Sequence, residues 1–423
     1  MTTLLGKKMF KVVETFSGIG AQAKALERLP IEHEIIHTCD WDVGAILAYC
    51  QIHKGSIDNK KYDDVSDSEI EAFLSNSTLS LDGKKPANPK TIHAFSAEIK
   101  RMIYAAIQET NNLVSITDVH GEELEDDIDL LTYSFPCQDL SLCGYWHGEI
   151  SGISREAHNR SGMLWEVERI LKEMHTAGKT LPKFLVMENV TNILSATHKK
   201  DFDDWKNTLN ALGYYNHIYR LNAKNFGVPQ KRERAYMISI YVGMSLNLEG
   251  ELNNYFAYNN LEVSENAERY RTRKFILADA LRIDHTNPKY YEEAIASQPN
   301  NTPSREKIWR ENEMLYDGTR IKNTVVNTVT TKQDRNPNSG LITFNSGREG
   351  KAPWRYLTPR ECFMLMGFDE EDYERALSYN PEYVKGKKLI SVEKAVKMAG
   401  NSICVDVLEA IFRQIIEIRD TVM

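Results

Sequence analysis

The chain has 423 residues, 42% hydrophobic, 26% charged and 9% aromatic, which excludes a disordered chain. Its six cysteines form no CxxC pair and no even ladder of spacings, which fits a reducing cytosol rather than a disulfide-dense miniprotein. A net charge of −8, from 52 basic and 60 acidic residues, argues against indiscriminate nucleic-acid binding, and no stretch has the apolar length of a membrane span or a signal-peptide core. A soluble, intracellular protein of two or three domains is expected.

In chain order, the apolar run 9–16 stops at Ser17-Gly18-Ile19-Gly20 and is followed by an amphipathic stretch, 21–29. Strand, glycine turn and helix open a nucleotide-binding α/β unit. A second strand, 35–39, ends on Asp40-Trp41-Asp42 before another helical stretch. A polar insertion, 54–112, has helical spacing over 94–107 and no evident chemistry. Continuously apolar runs at 128–135 and 184–190 predict buried strands, and 235–242 predicts another. Leu164, Val167, Leu171 and Met174 share one helical face. After Gly243 the chain turns irregular, rich in Asn, Tyr, Arg and Glu, until 391–423 returns to strong helix with Leu408, Ile411, Phe412 and Ile415 in a stripe. That last helix needs a sheet to cover, so a discontinuous α/β domain is expected, 1–243 plus 392–423, with an irregular domain and hinge, 244–391, inserted before it.

Charge is uneven. Residues 118–129 hold seven acids and no Lys or Arg. Residues 318–360 hold eight basic residues (Arg320, Lys322, Lys332, Arg335, Arg348, Lys351, Arg355, Arg360) against two acids, a pattern that fits a polyanion-binding stripe and equally a solvated face.

The ends of the strands carry the chemistry. Gly18 and Gly20 let backbone approach a ligand closely; Asp40 is placed to accept hydrogen bonds from a ribose diol and Trp41 to stack on a base. Together they suggest an adenosine-containing cofactor. Phe135-Pro136-Cys137-Gln138 puts a thiol on a loop over the ligand-binding edge of the sheet, a soft nucleophile where positive charge lowers its pKa. Glu188 ends the next strand, and Gln230-Lys231-Arg232-Glu233-Arg234 supplies basic groups just before another.

In this order the motifs resemble those of the DNA cytosine-C5 methyltransferases, and the resemblance covers nearly the whole chain. It implies a Rossmann-like, S-adenosylmethionine-dependent methyltransferase core with an inserted target-recognition domain. It also implies cofactor contacts from Phe16, Ser17, Gly18, Ile19, Gly20, Asp40, Trp41, Asp118, Val119, Pro136, Leu164, Asn401 and Ser402. Cys137, Glu188, Gln230, Arg232 and Arg234 are similar to the catalytic set, and 160–164, 355–362 and 400–402 match further family motifs. The segment 327–340 is similar to a recognition loop, which implies DNA contacts from Thr330, Thr331, Lys332, Gln333, Arg335, Asn336 and Asn338. Glu14-Thr15 and Ala21 depart from the family's cofactor loop, where Asp-Leu and a last glycine are common.

The implied reaction starts with Cys137 attacking C6 of a flipped-out cytosine, with Glu188 at N3 and Arg234 near O2, and ends with a methyl group on C5 and S-adenosylhomocysteine as product. No metal is expected. The partners implied are double-stranded DNA and, functionally, a cognate restriction endonuclease; the expected state is a cytoplasmic monomer that meets the nucleoid through DNA. The phrase TYSFPCQDLS, 132–141, looks most like prokaryotic enzymes, mollicute CpG-type ones among them, in line with a CpG or other short GC-centred target. Two alternatives stay open on sequence: an RNA (tRNA) cytosine-C5 methyltransferase, and a non-catalytic DNA-binding member of the fold.

Overall fold

Phe10–Thr15 (β1) forms a strand buried on both faces, with Phe10, Val12 and Val13 apolar and only Lys11 half-buried, and it is the second strand of a six-stranded sheet. The protein is described from a computed structural model over residues 9–136, 153, 160–322, 324–333 and 339–423. β2 (His33–Cys39), β3 (Leu130–Tyr133) and β4 (Phe184–Val190) run parallel to β1. β5 (Tyr214–Asn222), β6 (Gln230–Lys231) and β7 (Glu233–Tyr241) follow in the chain, and the sheet order is β2-β1-β3-β4-β7-β5. β7 is antiparallel to both neighbours, so its first residues lie at the carboxyl edge of the parallel strands. That orientation explains how a motif preceding a strand reaches the same edge as motifs that follow strands.

β5 is absent from the sequence reading. Its run YYNHIYRLN mixes apolar and polar residues at a sheet edge, so it lacks the continuous apolar signal of the central strands.

Helix α1 (Ala21–Glu27) packs on the C-terminal helix Val405–Thr421, whose apolar stripe shares one buried cluster with the sheet face of Phe184, Val186, Tyr236 and Ile238. The same cluster runs on through Leu252, Phe256, Leu277, Leu357, Phe363 and Phe368, so segments after Gly243 share a core with the sheet. The opposite face packs on helix Leu164–Thr176 and helix Lys199–Ala211. The C-terminal stretch expected as one helix is two, Val392–Asn401 and Val405–Thr421, because the chain turns extended at Ser402 and Cys404.

The 54–112 insertion is a small helical layer with its own apolar cluster, built by helices Asp67–Asn76, Pro89–His93 and Ala97–Glu109 on α2 (Val43–His53). Beyond Gly243 short helices alternate with strands of two or three residues, among them β8 (Met314–Tyr316), β9 (Val326–Asn327) and β10 (Leu341–Thr343). β9 pairs with β6 and so ties this segment to the sheet's carboxyl edge. Among the described residues no helix is long and apolar enough to cross a membrane.

Candidate active site

The strand order reverses between β1 and β3, which opens a crevice at the carboxyl edge of the sheet. The chain leaves β1 through Phe16 and Gly18, both at φ +55°, and Gly20 at φ +79°. A left-handed Phe is uncommon, and the fold holds it at this turn. The two glycines face different ways: a Cβ at Gly18 would meet nothing within 4 Å, whereas one at Gly20 would lie 2.1 Å from the His53 ring. One side of the turn is therefore open to a ligand and the other is packed.

Asp40 follows β2. One carboxylate oxygen accepts from the Gly18 N–H (2.9 Å) and the other from the Asp42 N–H (2.8 Å). Burial, and then Asp42 beside it, raise its pKa to about 6. Asn112, missed by the sequence reading, clamps this corner: its amide exchanges hydrogen bonds with the backbone N–H and C=O of Asp40 (both 3.2 Å) and accepts from the Val114 N–H (2.7 Å). Val114 sits at φ +61°, costly for a β-branched residue, and is held there by that bond. The signal was an Asn at the end of an insertion, indistinguishable in sequence from an ordinary turn residue. Trp41 is half-buried beside Asp40. Glu14, inside β1, has a wholly buried carboxyl without a well-formed hydrogen bond, and burial pushes its pKa up to about 8.

At the end of β4, Glu188 is 5% exposed. One of its oxygens accepts from the Ser134 hydroxyl (2.6 Å), and the other lies 3.3 Å from Arg234 Nε. Pairing of Val190 with Arg234 and of Glu188 with Tyr236 sets Glu188 and Arg234 diagonally on one face of the sheet. Asn189, on the other face, donates to the Phe135 carbonyl (3.1 Å) and fixes the chain just before Pro136. Cys137 and Cys143 lie outside the described residues. The four described cysteines, Cys39, Cys50, Cys362 and Cys404, are all buried, and burial pushes every one of their thiols up, which is the opposite of a nucleophile's environment.

A glycine turn, an acid after the second strand and a carboxylate–arginine pair beside a Pro-Cys segment are found here in the order of one enzyme family, whose model, C-5 cytosine-specific DNA methylase, matches residues 77–417. The chain belongs to that family. It is 31% identical over 408 residues to the type II methyltransferase M2.ScrFI of Lactococcus lactis, covering 96% of this chain and 99% of that one. It is 32% identical over 412 residues to the orphan methyltransferase M.SssI of the mollicute Spiroplasma monobiae, covering 96% and 97%. The solved Dnmt2 methyltransferase of S. pombe shares the fold, with a TM-score of 0.55 at 15% identity over 96% of this chain and 98% of that one. The chain is thus a cytosine-C5 DNA methylase, with S-adenosylmethionine as methyl donor and DNA as substrate.

Within this methylase, two residues grouped by sequence with the catalytic set have a different task. Gln230 is wholly buried; its amide donates to the Leu365 carbonyl (2.7 Å) and accepts from the Val329 N–H (2.8 Å). Arg232, 4% exposed, donates to the carbonyls of Val329 (3.0 Å), Gly400 (3.1 Å) and Ser402 (2.9 Å), and burial pulls its pKa down to about 10. Both side chains bind backbone, so they tie β6 to the 329–330 segment and to the 400–402 corner. Gly400 completes the clamp: a Cβ there would lie 2.5 Å from the Thr330 backbone.

Gln333 is buried rather than presented at the surface, and its amide donates to the Ser339 hydroxyl (3.1 Å). Thr330 and Thr331 are half-buried and Lys332 is exposed; Arg335, Asn336 and Asn338 lie outside the described residues. Asp118 is exposed and accepts from the Thr117 hydroxyl (3.0 Å), while Val119 is buried. Leu164 is wholly buried, Pro136 and Ser402 are half-buried, and Asn401 is exposed. The basic stripe also shrinks, since Arg355 and Arg360 are interior and paired with Glu361 and with Glu293, Glu370 and Glu374.

Proposed function

We propose that Cys137 is the nucleophile and that Glu188 and Arg234 activate a cytosine flipped out of a short specific duplex site. The observation that carries this reading is the Ser134–Glu188–Arg234 cluster at the sheet edge, whose Ser134 stands three residues before Cys137 in the chain. A base inside duplex DNA cannot offer C6 to a thiol, so the nucleotide leaves the stack. The Cys137 thiolate adds to C6, and the displaced π electrons move toward C5 and the N3 side of the ring. Glu188 meets the charge at N3 and Arg234 meets it at O2, and Arg234 also favours the thiolate. C5 then takes the methyl group. Loss of the C5 proton expels the Cys137 sulfur and restores the ring.

The open space above Gly18, the Asp40 carboxylate and the Trp41 indole fit an adenosine-bearing cofactor. The residues that would hold it are Phe16 to Gly20, Asp40, Trp41, Asp118, Val119, Pro136, Leu164, Asn401 and Ser402. Bound there, S-adenosylmethionine supplies an electrophilic methyl group and leaves as S-adenosylhomocysteine.

Thr330, Thr331, Lys332, Arg335, Asn336 and Asn338 are the proposed DNA contacts, in a recognition region spanning 244–391 set into a catalytic domain of 1–243 plus 392–423. The proposal includes a monomer working in the cytoplasm on a short GC-centred site. A restriction endonuclease enters only as a functional partner, since one relative is named type II and another orphan.

The test is covalent trapping. Wild-type protein given S-adenosylmethionine and a duplex with 5-fluorocytosine at the target should form an adduct, because after methyl transfer the fluorine on C5 cannot leave as a proton does. Cys137→Ser should abolish adduct and methylation while keeping DNA and cofactor binding. An adduct that survives Cys137→Ser and vanishes in Cys143→Ser overturns the assignment. Bisulfite sequencing of DNA from a methylation-free host expressing the chain reads out the site.

A further inference from the structure

We infer that His53 is a positioning residue for cofactor binding, a latch that holds the Ile19–Gly20 peptide of the glycine turn from behind; the inference rests on the cofactor reading of that turn. His53 lies in the last turn of α2. Its Nε2 is 3.1 Å from the Ile19 carbonyl oxygen and its Nδ1 is 2.7 Å from Glu27 Oε1. The N–H of the same peptide, on Gly20, donates to the Ser17 carbonyl (2.9 Å). That peptide plane is thus fixed at both ends. The ring sits against the turn itself, because a Cβ on Gly20 would overlap both His53 and Tyr49, and Tyr49 packs on the ring at 4.6 Å between centroids.

Both ring nitrogens face acceptors. The Ile19 carbonyl only accepts, and at Glu27 burial works to raise the pKa but the His53 hydrogen bond and charge, with Lys24 and His33, outweigh it and hold the carboxyl below its usual range. The ring therefore ties the glycine turn to the end of α1, and removing it leaves the Ile19 carbonyl without its side-chain partner.

The experiment is calorimetric titration of the full chain with S-adenosylhomocysteine, beside duplex DNA binding by anisotropy. His53→Ala should weaken S-adenosylhomocysteine by about tenfold, the size of a lost hydrogen bond, and leave DNA affinity unchanged, with KM for the cofactor rising and kcat holding. His53→Gln, whose amide still donates to Ile19, should stay within about threefold of wild type, whereas His53→Leu, which fills the space without a donor, should bind as weakly as His53→Ala. Unchanged affinity in His53→Ala, or equal affinity in His53→Gln and His53→Leu, overturns the latch. Should His53→Ala fail to fold, the comparison of His53→Gln with His53→Leu alone decides. A wild-type protein that binds no S-adenosylhomocysteine sinks the cofactor reading itself, a distinct result.

Discussion

Two buried glutamate–arginine pairs in this molecule look alike in sequence and do opposite work. Arg355 and Glu361 are both 0% exposed and meet through two bonds of 2.8 Å. Glu361 also accepts from the Thr358 N–H as part of a helix capping box, so its oxygens are fully engaged. Glu188 and Arg234 meet through a single 3.3 Å contact, with the arginine still 16% exposed at the sheet edge. The first pair holds a chain corner; the second, looser and at the sheet edge, keeps bonding capacity that the proposed mechanism uses. Spare valency at a strand end, more than charge, separates the proposed catalytic carboxylate from the structural one.

Removing each charge should expose that difference. Glu188→Gln should lower kcat by about 10²–10⁴, the usual size of a positioned acid's contribution, with little change in melting temperature. A variant that loses stability and activity together would make Glu188 another Glu361. Arg355→Met should do the reverse, costing about 3–5 kcal/mol in denaturant unfolding because Glu361 stays buried without its partner. Arg355→Met combined with Glu361→Leu should recover most of that loss, less about 1 kcal/mol for the capping box.

Asp40 stands between these cases, its carboxylate held by two backbone N–H groups. Asp40→Ala should weaken S-adenosylmethionine binding by about 1.5–3 kcal/mol in calorimetry. Its raised pKa, to about 6, gives a sign as well. The binding form is the carboxylate, so cofactor affinity should drop as pH falls through about 6, and Asp40→Asn should remove that drop. Folding stability moves the other way: an acid raised on folding stabilises the protein below its unfolded value and loses that contribution as pH rises through about 6. Flat affinity between pH 5 and 7 would separate Asp40 from the cofactor.

By itself the sequence determined where the parallel strands run and end. Apolar runs mark the central strands, because strands covered on both faces leave little polar side, and the residues at or just beyond the strand ends, Ser17 to Gly20, Asp40 and Glu188, are placed at the carboxyl edge by that fact. Tertiary structure decided what each polar group faces. Gln230 and Arg232 share a motif with Arg234, and Gln333 lies in the expected recognition segment, yet each is buried and bonded within the protein, and Arg355 and Arg360 leave the apparent basic stripe for interior glutamates. Asn112 joins the site from 72 residues beyond Asp40, and His53 reaches the turn from a neighbouring helix. Side-chain direction depends on partners distant in the chain, and a hydrogen bond between groups far apart in sequence leaves no periodic trace in either segment.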